Sequence, residues 1–339
     1  MSLADRLVAG WYAPRLTPLC AAMLPFSLLF RGAVWLRRAA YRARLLPTFS
    51  PRVPTVVVGN IVVGGSGKTP LTRALADALA ARGWRPGIVS RGYGSGAGGP
   101  RAVSASDDPV EVGDEPLLLA ASGFPVWIGR DRAAAARAML AAHPDRSVLL
   151  SDDGLQHYAL GRDFEIAAID ASRGFGNGQL LPAGPLREPR SRLRAVDALV
   201  TLVASQSAAA SDDGRETQMR HEPLSWRNLV DARASADVRT WARSPGVHAI
   251  AGIAHPQRFF DLLRNLGLDP VCHAFPDHHR YTRDELALPG ASAILMTEKD
   301  AVKCAAFGDP RFWCLPIQAR IDAALVERLE RALHGRQAA

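Results

Sequence analysis

Residues 64–69 read Gly-Gly-Ser-Gly-Lys-Thr, and these residue types at this spacing suit the binding of a polyphosphate. Backbone N–H groups can close around phosphate oxygens only where side chains are absent, and glycine permits that approach. Lys68 can reach the β- and γ-phosphates, and the Thr69 hydroxyl can hold Mg²⁺. Gly64, Gly65, Ser66, Gly67, Lys68 and Thr69 are therefore the candidate ATP-binding residues. The common pattern G-x-x-x-x-G-K-[ST] has glycine at its first position, where this chain has Val62.

Other strings carry acid, base and positive charge. Asp152-Asp153 follows the apolar run 148–150 and so falls at the carboxyl end of a strand, where phosphate-loop folds place a Mg²⁺-binding carboxylate. In Gly113-Asp114-Glu115-Pro116 a carboxylate could accept the proton of an attacking hydroxyl. Asp277-His278-His279 is a further cluster, and a histidine can orient or tune a carboxylate base. Arg91, after a short apolar run, could face phosphates or remain a solvated surface charge. Arg187-Glu188 lies in a glycine- and proline-rich loop, a common place for function, and reads equally as a surface ion pair. Thr297-Glu298-Lys299-Asp300 looks like a guanine-reading N-K-x-D string, but its lysine stands one place too late, which argues against a GTPase.

The elements that must position these groups are legible in outline. Residues 55–58 (TVVV) are a short β-branched run, hence a buried strand. Pro70 suits a first helical turn, and 71–82 (LTRALADALAAR) continues with helical spacing until Gly83. Strands are expected at 86–90, 125–128, 147–150, 164–170 and 197–203, with a helix over 131–142. Alternating strands and helices of this kind build a doubly wound parallel sheet. Residues 205–226 are polar and aperiodic and read as an excursion or linker. An α/β pattern resumes near 246. The expected organisation is an N-terminal apolar and basic segment (1–48), a phosphate-loop domain (49–204), a linker (205–244) and a smaller α/β domain (245–339).

The chain has 339 residues, 48% hydrophobic and 22% charged, which excludes a wholly disordered polypeptide. Its net charge of +8 favours anionic partners. No basic-and-aromatic motif for nucleic acid is present. The four cysteines (Cys20, Cys272, Cys304 and Cys314) form no C-x-x-C pair and suggest free thiols. Residues 16–30 carry no charge but are short for a membrane span and contain Pro18 and Pro25. Beyond them, Phe30, Val34, Tyr41 and Leu45 fall on one helical stripe roughly 60° wide. Arg31, Arg38 and Arg42 flank one side, with Arg37 and Arg44 on the other. This pattern suits a helix lying in a membrane interface among anionic headgroups.

Seven ordered strings are involved: 58–70 (VGNIVVGGSGKTP), 90–94 (SRGYG), 113–116 (GDEP), 152–157 (DDGLQH), 180–189 (LLPAGPLREP), 275–282 (FPDHHRYT) and 296–303 (MTEKDAVK). Their order and spacing resemble the tetraacyldisaccharide 4′-kinase family of Gram-negative bacteria, over nearly the whole chain. The Val62 departure matches that family's own loop. The resemblance implies an α/β fold: a P-loop NTPase-type doubly wound parallel sheet, a second, smaller α/β domain and an N-terminal membrane-associating helix. It implies transfer of the γ-phosphate of ATP, with Mg²⁺, to the 4′-hydroxyl of an acylated disaccharide 1-phosphate lipid. This would occur at the cytoplasmic face of the inner membrane, in lipid A biosynthesis. Asp114 would be the base, with His278 as its partner. Lys68 would neutralise the phosphates, and Thr69, Asp152 and Glu115 would serve Mg²⁺. Asp153 and Gln156 would support the site. With His278 in the second domain, a cleft between domains is expected, closing to exclude water. Two rival readings share the phosphate loop: a membrane-associated switch or partition ATPase, and a non-enzymatic nucleotide-binding scaffold. Neither needs Asp114 and His278 as a proton-transfer pair.

Overall fold

The computed structural model describes residues 3–92, 99–204, 215–231 and 233–337. Tyr93 and Gly94 of the SRGYG string and the polar stretch 205–214 lie outside the described residues.

Three helices open the chain: α1 (Leu3–Trp11), α2 (Pro18–Ala22) and α3 (Leu24–Arg42). Then come β1 (Thr55–Gly59), α4 (Lys68–Ala80), β2 (Pro86–Ser90), β3 (Arg101–Val103), α5 (Pro109–Val112) and α6 (Asp114–Ala120). They continue with β4 (Val126–Ile128), α7 (Arg132–Ala142), β5 (Val148–Ser151), β6 (Phe164–Asp170) and β7 (Ala198–Leu202). The rest are β8 (Glu216–Pro223), β9 (Trp226–Asn228), β10 (Ser235–Ala236), β11 (Val247–Ala251), α8 (Pro256–Asn265) and β12 (Val271–Ala274). The chain finishes with β13 (Ala293–Thr297), α9 (Glu298–Cys304), β14 (Phe312–Leu315), β15 (Ile317–Ile321) and α10 (Ala323–Gln337).

The first sheet has nine strands in the order β15-β8-β7-β6-β1-β5-β2-β4-β3. Its central strands are parallel, with antiparallel β15 and β3 at the edges. β1 is buried at every residue, which explains why its sequence is a continuous apolar run without alternation. α4 and α10 cover one face, where Val56, Val58, Leu71, Leu75, Leu325 and Leu329 share a core. The second sheet has six strands in the order β10-β9-β14-β13-β11-β12, with its own core around Trp226, Phe259, Leu263 and Leu295. The mixed α/β class with parallel sheets is as the sequence implies.

Three expectations differ from the structure. The segment expected to link two domains is not only a linker, because β8 pairs in parallel with β7. The C-terminal unit also does not keep its own end. β15 pairs with β8 in the first sheet, and α10 packs on that sheet's core. Its burying face is apolar at helical spacing, so the sequence announced a helix but not which sheet it covers. Third, the stripe assigned to the membrane faces inward. Phe30 packs on the cluster of Ile61, Leu155 and Leu180, and the Tyr41 ring lies 5.8 Å from that of Tyr158. Leu45 lies beyond the helix end. α3 is apolar on more than one side, and a periodicity argument alone cannot say which side meets protein. The outward side exposes Phe26, Leu28, Leu29, Trp35 and Leu36. Among the described residues no helix is long and apolar enough to cross a membrane.

Candidate active site

The phosphate loop connects β1 to α4 at the carboxyl edge of the nine-stranded sheet, beside β5 and β6. Gly64 and Gly67 adopt φ of +107° and +76°, the second as the N-cap of α4. A side chain at Gly67 would be strained and would also place its Cβ 2.8 Å from Met219 Cε. Lys68 begins α4, with Nζ 3.4 Å from the Gly64 carbonyl oxygen and 3.6 Å from Asp153 Oδ1. Ser66 is fixed by the Asn60 side chain, whose Nδ2 donates to Ser66 Oγ at 2.9 Å. Val62 has a physical reason for standing where glycine is usual. It bridges Leu186, while Val63 N–H donates to Pro185 O at 2.9 Å and Arg187 N–H to Ile61 O at 2.7 Å. The entry to the loop is thus an extended segment paired with the 180–189 loop, a conformation that suits a β-branched residue.

Asp152 and Asp153 follow β5 and divide their work. Asp152 is fully buried and accepts from Thr69 Oγ1 at 3.3 Å and Thr72 Oγ1 at 3.0 Å. Burial, with Glu115 and Asp153 nearby, pushes its carboxyl up to about 7. Asp153 has φ of +47° and turns the other way, receiving Arg187 Nη1 at 3.2 Å on each oxygen. Burial opposes its ionisation, but Lys68 and Arg187 outweigh that and hold it well below the usual carboxylate range.

Asp114 opens α6 and is almost wholly buried. Its Oδ2 lies 3.0 Å from His278 Nδ1, and Oδ1 accepts from Glu115 N–H at 3.0 Å. Burial pushes this carboxyl up, but the His278 hydrogen bond and the charge of Lys299 outweigh it and bring it to about 2. The same bond raises His278 above the ordinary histidine value, against its partial burial. His278 lies in the loop after β12 with φ of +59°, its N–H donating to Gly252 O at 3.2 Å. Asp153 and His278 are two of four non-glycine residues recorded with positive φ among the described residues. Backbone strain of this kind gathers where a side chain must be aimed. The Asp114–His278 contact joins the first sheet's layer to the second, so the site lies between them.

The remaining predicted residues stand further out. Gln156 Nε2 donates to Asn60 O at 2.8 Å and Glu188 Oε2 at 3.3 Å. Glu188 is buried and also bonded by Tyr158 OH, and it lies 3.6 Å from Arg192 Nε. The pair therefore ties the 60s, 150s and 180s loops together behind the phosphate loop. Arg91 is exposed at the end of β2, and its charge acts on buried Arg132. Glu115 forms an ion pair with Lys299 of α9. Sequence reasoning missed three contributors. Thr72 lies one helical turn beyond the loop. Asn60 precedes it. Arg132 is buried at the start of α7, with Nη2 donating to Asp153 O at 3.3 Å. Thr72 alone had a usable signal, a hydroxyl three residues after Thr69 on the same helix face.

The residues suit a nucleotide with Mg²⁺. Asp152 with Thr69, and Glu115 nearby, form a hard oxygen donor set beside a glycine cradle, and the raised Asp152 carboxyl marks an excess of buried negative charge that a cation would relieve. Among the described residues no group of three or more His, Cys, Asp or Glu side chains could hold a metal alone. Mg²⁺ usually takes one or two carboxylates plus phosphates and water.

A family model described as tetraacyldisaccharide-1-P 4′-kinase matches residues 19–334. The chain belongs to this family. It is 47% identical to the tetraacyldisaccharide 4′-kinase of Dechloromonas aromatica, over 99% of this chain and all of that protein. It is 49% identical to that of Alkalilimnicola ehrlichii, over 92% of each. A crystal structure of LpxK from Aquifex aeolicus in complex with ATP is similar, with a TM-score of 0.78 and 29% identity. That match covers 93% of this chain and 99% of the other. Membership of a kinase family sets aside the switch-ATPase and scaffold readings.

Proposed function

We propose that this chain is a lipid kinase, transferring the γ-phosphate of ATP to the 4′-hydroxyl of a tetraacyldisaccharide 1-phosphate in lipid A biosynthesis. The observation that carries the reading is the 3.0 Å contact between His278 Nδ1 and Asp114 Oδ2 beside the phosphate loop. A sugar hydroxyl must lose its proton to become a nucleophile, and a switch ATPase has no need of such a pair. ATP supplies the phosphoryl group, and Mg²⁺ neutralises its charge. Lys68 would neutralise the β- and γ-phosphates. Thr69, Asp152 and Glu115 would hold the metal. The hydroxyl oxygen attacks the γ-phosphorus, the bond to the β–γ bridging oxygen breaks, and ADP leaves. Asp114 takes the hydroxyl proton. With its carboxyl near 2 it is always ionised yet a weak base, so it accepts the proton late, as a loose transition state allows. His278 holds the carboxylate in line. Asp153, Gln156, Arg91, Arg187 and Glu188 support these groups.

The acyl chains keep the acceptor in a bilayer, so the enzyme works at its surface. Exposed Phe26, Leu28, Leu29, Trp35 and Leu36 on α3, with nearby Arg31, Arg37 and Arg42, support docking on the anionic cytoplasmic leaflet of the inner membrane. The test is transfer of radiolabelled γ-phosphate to the lipid in detergent micelles. Wild type should label lipid. Asp114→Ala and Lys68→Ala should each lose at least about 10²-fold, the scale for removing a general base or a preorganised charge. Label appearing only as free phosphate, with or without lipid, would defeat the proposal.

A further inference from the structure

We propose that Lys299 is a positioning residue for phosphoryl transfer, carried in from the six-stranded layer to hold the start of α6, and with it Asp114, against His278. The inference rests on the reading of Asp114 as the proton acceptor.

Lys299 stands in the string Thr297-Glu298-Lys299-Asp300, which the phosphate site itself does not explain. Its ammonium forms an ion pair with Glu115 Oε1, and its charge also acts on Asp114 and Asp277. One cation thus serves three carboxylates around the Asp114–His278 contact. Every other residue of the string fixes the lysine's place. Thr297 caps α9, its Oγ1 accepting from Asp300 N–H at 3.3 Å and donating to Asp300 Oδ2 at 2.7 Å. Asp300 is fully buried and accepts from Tyr281 OH at 2.9 Å and Gly252 N–H at 3.1 Å. Gly252 O in turn receives the His278 N–H. The rigid floor under Lys299 is therefore also the floor under His278. Glu298 reaches back to α4, with Oε1 3.2 Å from Arg73 Nη1, while its Oε2 accepts from Ile317 N–H at 3.1 Å.

Two ion pairs thus join α9 to the first layer. Arg73–Glu298 joins α9 to α4, whereas Lys299–Glu115 joins it to the start of α6, where Asp114 stands. Glu115 follows Asp114 directly and its N–H donates to Asp114 Oδ1, so a force on Glu115 is felt at Asp114. A purely structural tie would make the two ion pairs equivalent. A positioning role makes them different.

The experiment measures kcat and KM for ATP in the lipid phosphorylation assay, together with Tm, for Lys299→Met, Lys299→Arg, Arg73→Met, Glu115→Gln and the double variant Glu115→Gln/Lys299→Met. Lys299→Met should lower kcat about 10- to 100-fold, the scale of a small misplacement of a reacting group. Its KM for ATP should stay within about threefold, because uniform binding is untouched. Lys299→Arg should restore most of kcat. Arg73→Met should lower Tm comparably while keeping kcat within about threefold of wild type. The double variant should be no worse than Glu115→Gln alone, as expected of residues acting through one contact. Wild-type kcat in Lys299→Met, an equal kcat loss in Arg73→Met, or multiplied losses in the double variant would each overturn the proposal. If Lys299→Met is not recovered folded, Lys299→Gln carries the same prediction. Wild type failing to label lipid would overturn both the functional reading and this one, whereas normal labelling by Lys299→Met would overturn only this one.

Discussion

Asp152→Asn offers a test in which stability and activity must move in opposite directions. Asp152 is fully buried, and its carboxyl is pushed from 3.8 to about 7 by burial, Glu115 and Asp153. A raised carboxyl means that the folded state binds more protons than the unfolded state between those values. Stability therefore falls as pH rises from about 4 to about 7, and the loss is complete above that range. Some three units at about 1.4 kcal/mol each give an upper limit of ~4 kcal/mol. Relaxation and water entry around a buried charge make the actual figure smaller. Asparagine keeps the shape and a carbonyl for Thr72, but no charge. In nucleotide-free enzyme at pH 8, Asp152→Asn should raise Tm by a few °C, about that free energy spread over a chain of this size. The gain should shrink towards pH 5. Phosphorylation should fall by about 10²-fold or more, because the charge proposed to hold the metal would be gone. The assay is calorimetry at both pH values alongside lipid labelling. A lower Tm at pH 8, or retained activity, would refute the claim that Asp152 is a strained charge kept for its ligand.

Other consequences follow from single contacts. Gly67→Ala should cost about 1–2 kcal/mol for its left-handed backbone alone, and its Cβ would crowd Met219, so denaturant unfolding should show a lower midpoint and calorimetry weakened ATP binding. Burial holds His221 down to about 4. Its folded state therefore binds fewer protons than the unfolded one, and stability is lost as pH falls from 6.5 towards 4, by at most about 3 kcal/mol. His221→Phe should flatten that part of the Tm–pH curve. Leu29→Glu with Trp35→Glu should weaken binding to anionic vesicles by about tenfold or more, since two buried apolar side chains are worth several kcal/mol. The same pair should leave Tm and micelle activity nearly unchanged, and sedimentation with vesicles measures the difference.

Much of the site was readable because its chemistry needs particular residues at strand ends. Gly64–Thr69, Asp152 and Asp153 sit on such ends, where a short apolar run locates the edge of the sheet. Asp114 and His278 were each weak signals alone, being 164 residues apart in sequence. Only their shared membership of an ordered set of strings suggested a pair. What the sequence hid depends on long-range packing. Glu216–Pro223 hides its alternation, because the buried positions at its start are Thr217 and Met219, and only the second is apolar. Arg132 looks like a solvated residue at a helix start, and only the fold places Asp153 over its guanidinium. Both faces of α3 are apolar, so its spacing does not say which one meets protein, and the spacing of α10 does not say which sheet it covers.

The central claim is that this chain phosphorylates a lipid disaccharide at one hydroxyl. The most direct measurement is mass and ³¹P NMR analysis of the lipid recovered after incubating wild-type enzyme with ATP, Mg²⁺ and the disaccharide 1-phosphate. The account predicts a single added phosphate on the 4′ oxygen, absent when Asp114→Ala is used. Unchanged lipid with ATP consumed to free phosphate, or a phosphate on another oxygen, would contradict it.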